Sequence, residues 1–293
     1  MESGNIKLKD IKPELTEYIK EALVLLKQAP VPDENTIHDI RVLMKKSRAV
    51  MKLISDQVEA DSFQRDFNAY REVGKLLSTW REASVHRRTL KDIKKIYPDI
   101  YDAVRNNPKI EALMLKPETV KEPDQEMKEK LELIEEHLTK AGYRLRFQVW
   151  NEHDSVKLLN RLETSFKTVT DVFLACRHNP EQANIHRFRK RTKDLLYQLW
   201  FFRPLNPKEV KNLEKKLDVL SQNLGKCNDL SVLLNAIGYR YSGTAGDPGI
   251  ENLALAIRRE QDKYLSEIWP PADKIFSPGK SLFKKLGFRI LIL

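Results

Sequence analysis

The sequence predicts an all-α protein built as two similar halves. Three observations carry that expectation. Apolar residues recur at helical spacing between breaks marked by proline or glycine, and no convincing strand-like alternation is present. Only 10 of 293 residues are glycine while 32% are charged, a balance that suits helices with solvated faces. One pattern, Ile-His-x-x-Arg-x-x-x-Lys, also occurs twice. It reads Ile37-His38-Asp39-Ile40-Arg41-Val42-Leu43-Met44-Lys45, then, 148 residues later, Ile185-His186-Arg187-Phe188-Arg189-Lys190-Arg191-Thr192-Lys193. A fixed offset of this kind marks a repeated unit.

The elements follow in order. Leu15 to Gln28 sets Leu15, Ile19, Ala22, Leu23 and Leu26 on one face, and Ala29-Pro30-Val31-Pro32 ends it. Asp33-Glu34-Asn35-Thr36 offers capping side chains to a helix from Ile37 to near Asp56. Phe63 to Lys95 reads as one or two helices, interrupted by Pro98 and by Asn106-Asn107-Pro108. Pro117 to Pro123 is a polar connector, Gln125 to Lys140 is helical, and Gly142 to Asp154 resets the pattern. Ser155 to Arg177 is a helix closed by His178-Asn179-Pro180. The second histidine pattern opens a helix from Ala183 to Phe202, and Pro207 starts another that is periodic from Lys208 to Ile237. Tyr241 to Gly249 is a loop, Ile250 to Trp269 the last helix, and the chain after Pro270-Pro271 an irregular basic-apolar tail. The length suffices for two domains or one long helical domain. The expected organisation is a first repeat at 10–145, a second at 150–270 and the tail at 271–293, all within one domain.

A net charge of +10 and a pI near 9.4 imply attraction to polyanions without choosing among nucleic acid, acidic lipid and phosphate chains. Cys176 and Cys227 are the only cysteines and form no Cys-x-x-Cys, so neither a disulfide scaffold nor a redox motif is expected. Met1 to Lys12 has no apolar signal core, and no apolar run approaches membrane-spanning length. These features lead to the expectation of a cytoplasmic protein.

The repeated pattern has a direct physical consequence. With His38 at zero on a helical wheel, Lys45, Lys52, Arg41 and Arg48 fall at about −20°, −40°, −60° and −80°. Ile40, Leu43, Met44, Val50, Met51 and Ile54 gather opposite, with Ser47 among them allowing close helix contact. The second copy buries Phe188, Leu195, Leu199 and Phe202 and presents His186, Arg189, Lys190 and Lys193. It then departs: Leu196 stands in the place of Arg48, and Tyr197 and Trp200 continue the strip as aromatics. An ordinary solvated helix face explains either stripe alone. Against that, Asp39 is the only carboxylate between His38 and Lys52, like charges on one helix repel, and the spacing recurs. Two cationic ladders call for an anion. As metal ligands His38 and His186 would lack the short-spaced Cys or His company that a zinc site needs. As phosphate partners they would donate a hydrogen bond or take a proton. Capping or packing at the helix start is a third role.

Two His-x-x-Arg-x-x-x-Lys segments in an all-helical chain resemble the CHAD family, the conserved histidine α-helical domain. Leu224-Gly225-Lys226-Cys227-Asn228-Asp229 is similar to the family's Leu-Gly-x-x-Arg/Asn-Asp segment, and Leu77-Ser78-Thr79-Trp80-Arg81-Glu82 is a looser version, its Glu82 lying 147 residues before Asp229. Leu195-Leu196-Tyr197 resembles the family's Leu-Arg-Tyr with its arginine replaced. The resemblance covers most of residues 10–270. It implies two pseudo-symmetric bundles of long antiparallel helices and a basic surface that binds inorganic polyphosphate. Carried over residue by residue, the contacts would be His38, Arg41, Lys45, Arg48 and Lys52 in the first half, with Arg81. In the second half they would be His186, Arg189, Lys190 and Lys193, with Lys167 as an outlying member. Glu82 and Asp229 would orient the basic ladders.

Three functions compete. The first is non-catalytic polyphosphate binding in a groove between the halves, in the cytoplasm and at polyphosphate granules, with no cofactor. The second is nucleic-acid binding, for which the charge fits equally well and Tyr197 and Trp200 offer stacking surfaces. The third is a metal-dependent hydrolase of condensed phosphates using Glu82 and Asp229. No Glu-x-Glu-x-Lys opening of a triphosphatase tunnel, P-loop, nucleophile elbow or His-Glu-x-x-His is present.

Overall fold

A computed structural model describes residues 9–115, 123–148, 154–238, 247–279 and 281–288. The connector at 117–123 lies outside these residues except for its last position, as does most of the loop at 241–249 and the chain's last five residues.

Among the described residues twelve α-helices and one short 3-10 turn are present and no strand. They are α1 (Ile11–Leu26), α2 (Glu34–Leu53), α3 (Ala60–Leu76), α4 (Ser78–Ile96), α5 (Pro98–Val104), α6 (Pro108–Met114), α7 (Gln125–Phe147), α8 (Ser155–His178), α9 (Gln182–Leu199), α10 (Pro207–Ala236), α11 (Pro248–Phe276) and α12 (Leu282–Leu286). The starts are set by local chemistry. Asp33 Oδ1 accepts from Thr36 N at 2.7 Å at the head of α2, and Asp124 and Asp154 cap α7 and α8 in the same way. Pro98, Pro108, Pro207 and Pro248 each occupy a first helical position, where the missing N–H is no loss. Asn107 both ends the α5 turn and caps α6, so the two prolines divide this stretch into two short helices rather than leaving it open.

One apolar cluster runs from Ile11 to Leu286 and joins α1, α2, α3 and α7 to α8, α9, α10 as far as Cys227, the end of α11 and α12. A second cluster packs Leu90, Ile93, Tyr101, Val104 and Ile110 of α4–α6 against Leu230, Leu233, Leu253 and Ile257 of α10 and α11. The segment after α3 thus packs on the later helices. This places α4 beside α2 and α10, where the candidate site lies.

Two expectations need correction. Gly142 does not reset the pattern: α7 runs through it to Phe147. A Cβ on Gly142 would lie 3.4 Å from Ile19 Cγ2, so the glycine serves close approach of α7 to α1. Nor do Pro270 and Pro271 stop α11, which continues to Phe276. They deprive only the Ser266 and Glu267 carbonyls of donors. The turns beyond bury Ala272, Ile275 and Phe276, the last in an aromatic cluster with Phe166, Phe173 and Phe188 at ring separations of 5.6, 5.9 and 5.8 Å. The tail then docks through α12. The buried Glu163 carboxylate accepts the Leu282 and Phe283 N–H groups at 3.0 and 3.3 Å, and Leu282 and Leu286 are buried. No helix among the described residues is long and apolar enough to cross a membrane.

Candidate functional site

The site begins with α2, whose apolar side is fully committed to the core. Ile40, Met44 and Val50 are inaccessible, and Ser47 donates within its own helix to Leu43 O at 3.0 Å. Its cationic side is therefore fixed in direction. It is also only partly solvated: Arg41, Lys45, Arg48 and Lys52 are half-buried, because α3, α4 and α9 rise around them.

Ion pairs place α4 over one flank. Arg87, 6% exposed, pairs with Glu34 at the start of α2 at 2.5 Å. Arg88 reaches Asp229 at 3.4 Å and Lys226 reaches Asp92 at 3.1 Å, which ties α4 to α10. Arg81, earlier on α4, donates to Ser84 Oγ at 3.2 Å, and its charge acts on His38, Arg41 and Lys45. On the other flank α9 is fixed to α2 by Gln198 Nε2 donating to Ala49 O at 2.9 Å.

Arg189 of α9 completes the centre. A Cβ on Gly225 would lie 3.4 Å from its Nε, so the glycine leaves α10 bare where this side chain rests. Arg189 Nε is buried without a hydrogen-bond partner among the described residues. The Leu224-Gly225 segment thereby acquires a physical reason.

The electrostatics follow. Lys45 is pushed down to about 7, first by burial and then by Arg189, Arg41, Arg48 and Arg81. Arg41 is lowered from the usual guanidinium value by burial and then by Arg81 and Arg48, and Arg81 by burial and then by Arg88, although both stay charged at any physiological pH. His38 is lowered by burial, then by Arg81 and Lys45, and is neutral at pH 7. Arg41 Nη1 donates to the Gly74 carbonyl of α3 and Arg48 Nε to Met44 O at 3.2 Å. Among the described residues Arg41, Lys45, Arg48, Arg81 and Arg189 have no ion-pair partner. Thus α2, α4 and α9 converge five cations on one place.

The ends of the ladders differ. Lys52 pairs with Asp194 at 2.5 Å and Lys193 with Asp218 at 3.2 Å. These two are held by the protein's own carboxylates, which corrects the expectation of wholly unpaired ladders. Asp194 lies on α9 and faces Lys52 across the helix interface, 142 residues away in sequence. Asp218 faces Lys193 from α10. Lys190 is exposed, and its charge acts on Lys52 rather than on the centre. His186 is exposed with Nδ1 3.1 Å from Asn228 Oδ1, so it tethers α9 to α10. Lys167 does not join the site. It is exposed on α8, about 240° round that helix from Arg161, the residue that contacts α2 through Lys52 O and Ser55 Oγ.

Asp229, engaged by Arg88, and Glu82 act on the centre as acidic neighbours of Arg81 and Arg41 respectively. His86, one turn beyond Glu82, has a buried Nε2 without a hydrogen-bond partner among the described residues. No group of three or more His, Cys, Asp or Glu suited to a metal ion occurs among the described residues.

The fold and this inward-facing basic centre define an all-helical protein whose two histidine-bearing helices pack side by side. The chain belongs to the CHAD domain family, whose sequence profile matches residues 17–237. A crystal structure of the CHAD domain from the plant Ricinus communis is similar over 94% of this chain and 89% of that one, at 18% identity and a TM-score of 0.47. No curated protein matches.

Proposed function

We propose that this protein binds inorganic polyphosphate without catalysis, and that Arg41, Lys45, Arg48, Arg81 and Arg189 are the principal contacts. The observation that supports this best is Lys45: an amine pushed to about 7 by burial among four arginines is a site short of negative charge. A phosphate chain supplies roughly one charge per unit and little shape, which suits several converging arginine forks and one lysine. His38, neutral at pH 7, would donate to a phosphate oxygen or take a proton beside it. Lys52 and Lys193, held by Asp194 and Asp218, would serve as the margins of the site. A binding role is favoured over hydrolysis because Asp229, one of the two candidate metal-holding carboxylates, already pairs with Arg88. Granule association, if polyphosphate is the partner, follows from that affinity.

The test is titration with long-chain polyphosphate of the wild type and of Lys45→Ala/Arg81→Ala/Arg189→Ala, with circular dichroism to show that the variant folds. Affinity should fall by at least about a hundredfold, since each charge-assisted contact contributes about 1.5–3 kcal/mol, and wild-type affinity should weaken steeply with salt. Unchanged affinity in the folded triple variant would refute the site. Displacement of polyphosphate by equimolar duplex DNA would favour a nucleic-acid reading instead.

A further inference from the structure

The cationic strip of α9 ends in Leu196, Tyr197 and Trp200, and these three line a cavity of about 400 Å³ between α1, α2, α9 and α10. That volume lies in the range of small-molecule sites. The cavity borders the basic centre, since the Arg189 charge acts on Tyr197, but none of the five cations of that centre lines it. Lys46, which lines it, follows Lys45 in sequence but stands about 100° further round α2, with its Nζ 5.1 Å from the Tyr18 ring.

The lining has two parts. One is aromatic: Tyr18 from α1, Tyr197 and Trp200. Lys9 lies against Trp200 at 3.4 Å, whereas Lys46 and Lys193 stand further off, 5.1 and 5.8 Å from the Tyr18 and Tyr197 rings, so the part-exposed Tyr197 is the main surface for a flat ring and the buried Tyr18 closes the wall behind it. The other part is charged, and its acids are engaged. Glu214 accepts from Arg203 at 2.8 Å, Asp218 from Lys193 at 3.2 Å, and Glu14 from the Tyr18 hydroxyl. Lys46, Lys211 and Lys215 have no ion-pair partner among the described residues, and the last two stand four apart on one face of α10. The uncommitted charge in the cavity is therefore positive, and it borders aromatic walls.

A bare phosphate chain has no use for those walls. A ligand that carries both an anionic tail and an aromatic ring uses all of the lining. We propose that this cavity binds a nucleoside triphosphate, with its base against Tyr197 and Tyr18 and its phosphates at Lys46, Lys211 and Lys215. The site is independent of the polyphosphate reading, because it shares none of the cations of the basic centre.

Calorimetric titration of the full chain with ATP, adenosine and tripolyphosphate tests it. ATP should bind, and Tyr197→Ala should weaken ATP by about tenfold or more, as loss of one stacked base contact does, while tripolyphosphate binding stays within about twofold. Lys211→Glu/Lys215→Glu, two exposed changes that leave the core intact, should abolish ATP binding and so covers the case in which Tyr197→Ala fails to fold. Absence of ATP binding at millimolar concentration overturns the proposal. So does ATP affinity that is indifferent to Lys211→Glu/Lys215→Glu and falls together with tripolyphosphate in Lys45→Ala/Arg189→Ala, because ATP would then be read only as a triphosphate in the basic centre.

Discussion

Replacing Lys45 by methionine should make the protein more stable while weakening the proposed polyphosphate binding. The two side chains have similar volume, so the change removes charge and little else. Folding moves the amine from 10.5 to about 7. At about 1.4 kcal/mol per pH unit, that displacement opposes folding by roughly 4 kcal/mol at pH 7. Side-chain relaxation and entering water return part of this, so Lys45→Met should gain about 1–3 kcal/mol, or about 3–8 °C in Tm. The pH dependence carries the sharper signature. Because the folded value lies below the unfolded one, the unfolded chain binds more protons between about pH 7 and 10.5, and stability rises with pH through that window. From pH 7 to 8.5 the wild type should recover up to about 1.5 kcal/mol that the variant does not, so the gap narrows. The range stops at 8.5 because Cys176 and Cys227, pushed up to about 11 and about 12 by burial, reverse the trend once unfolded thiols ionise. Urea denaturation of both proteins at pH 7, 7.75 and 8.5 measures it. A variant that is less stable, or a gap that stays constant with pH, would refute the crowding of charge around Lys45.

Three further outcomes are expected. Tripolyphosphate binding at pH 8 should take up close to one proton at Lys45, seen as a calorimetric enthalpy that changes with buffer ionisation heat. Asp194→Asn removes the carboxylate from Lys52 and Arg191, at 2.5 and 3.6 Å, and should destabilise by about 2 kcal/mol in thermal unfolding, because it leaves a part-buried ammonium unpaired. Gly225→Leu should displace the Arg189 side chain that lies 3.4 Å from the built Cβ and weaken polyphosphate by about tenfold, whereas Gly225→Ala, an ordinary contact at the same point, should change stability by less than about 1 kcal/mol.

Much of this was legible in the sequence for physical reasons. Asp33 and Pro207 act within a few residues of themselves, so the starts of α2 and α10 could be read locally, whereas Pro98 and Pro108 read as breaks although each opens a short helix. The direction of the α2 ladder follows from its apolar face alone. Three features were not legible because their causes lie across the fold. Gly142 reads as a break unless Ile19 is known to press on it. Pro270 and Pro271 read as a stop unless Phe276 is known to complete an aromatic cluster beyond them. Asp194 reads as one acid in a basic helix, and only the packing of α9 on α2 shows that it neutralises Lys52. Gly225 is intermediate: the Leu-Gly segment marked the position, and the resting place of Arg189 explains it.

The distribution of acids around the basic centre has a thermodynamic consequence. Glu34, Asp92 and Asp229 hold α4 in place through Arg87, Lys226 and Arg88, and Asp194 and Asp218 hold the ends of the ladders. The ion pairs therefore stabilise the frame, while Arg41, Lys45, Arg48, Arg81 and Arg189 repel one another inside it. A frame of this kind keeps the cations from spreading apart, so their repulsion is relieved by an anion and not by movement. Binding is then coupled to stability: a polyanion that neutralises the centre of the folded chain, and finds no such centre in the unfolded one, raises stability by about 4 kcal/mol at a thousandfold excess over Kd. A variant whose frame is loosened, such as Asp92→Asn, should lose polyphosphate affinity although none of the five proposed contacts has changed.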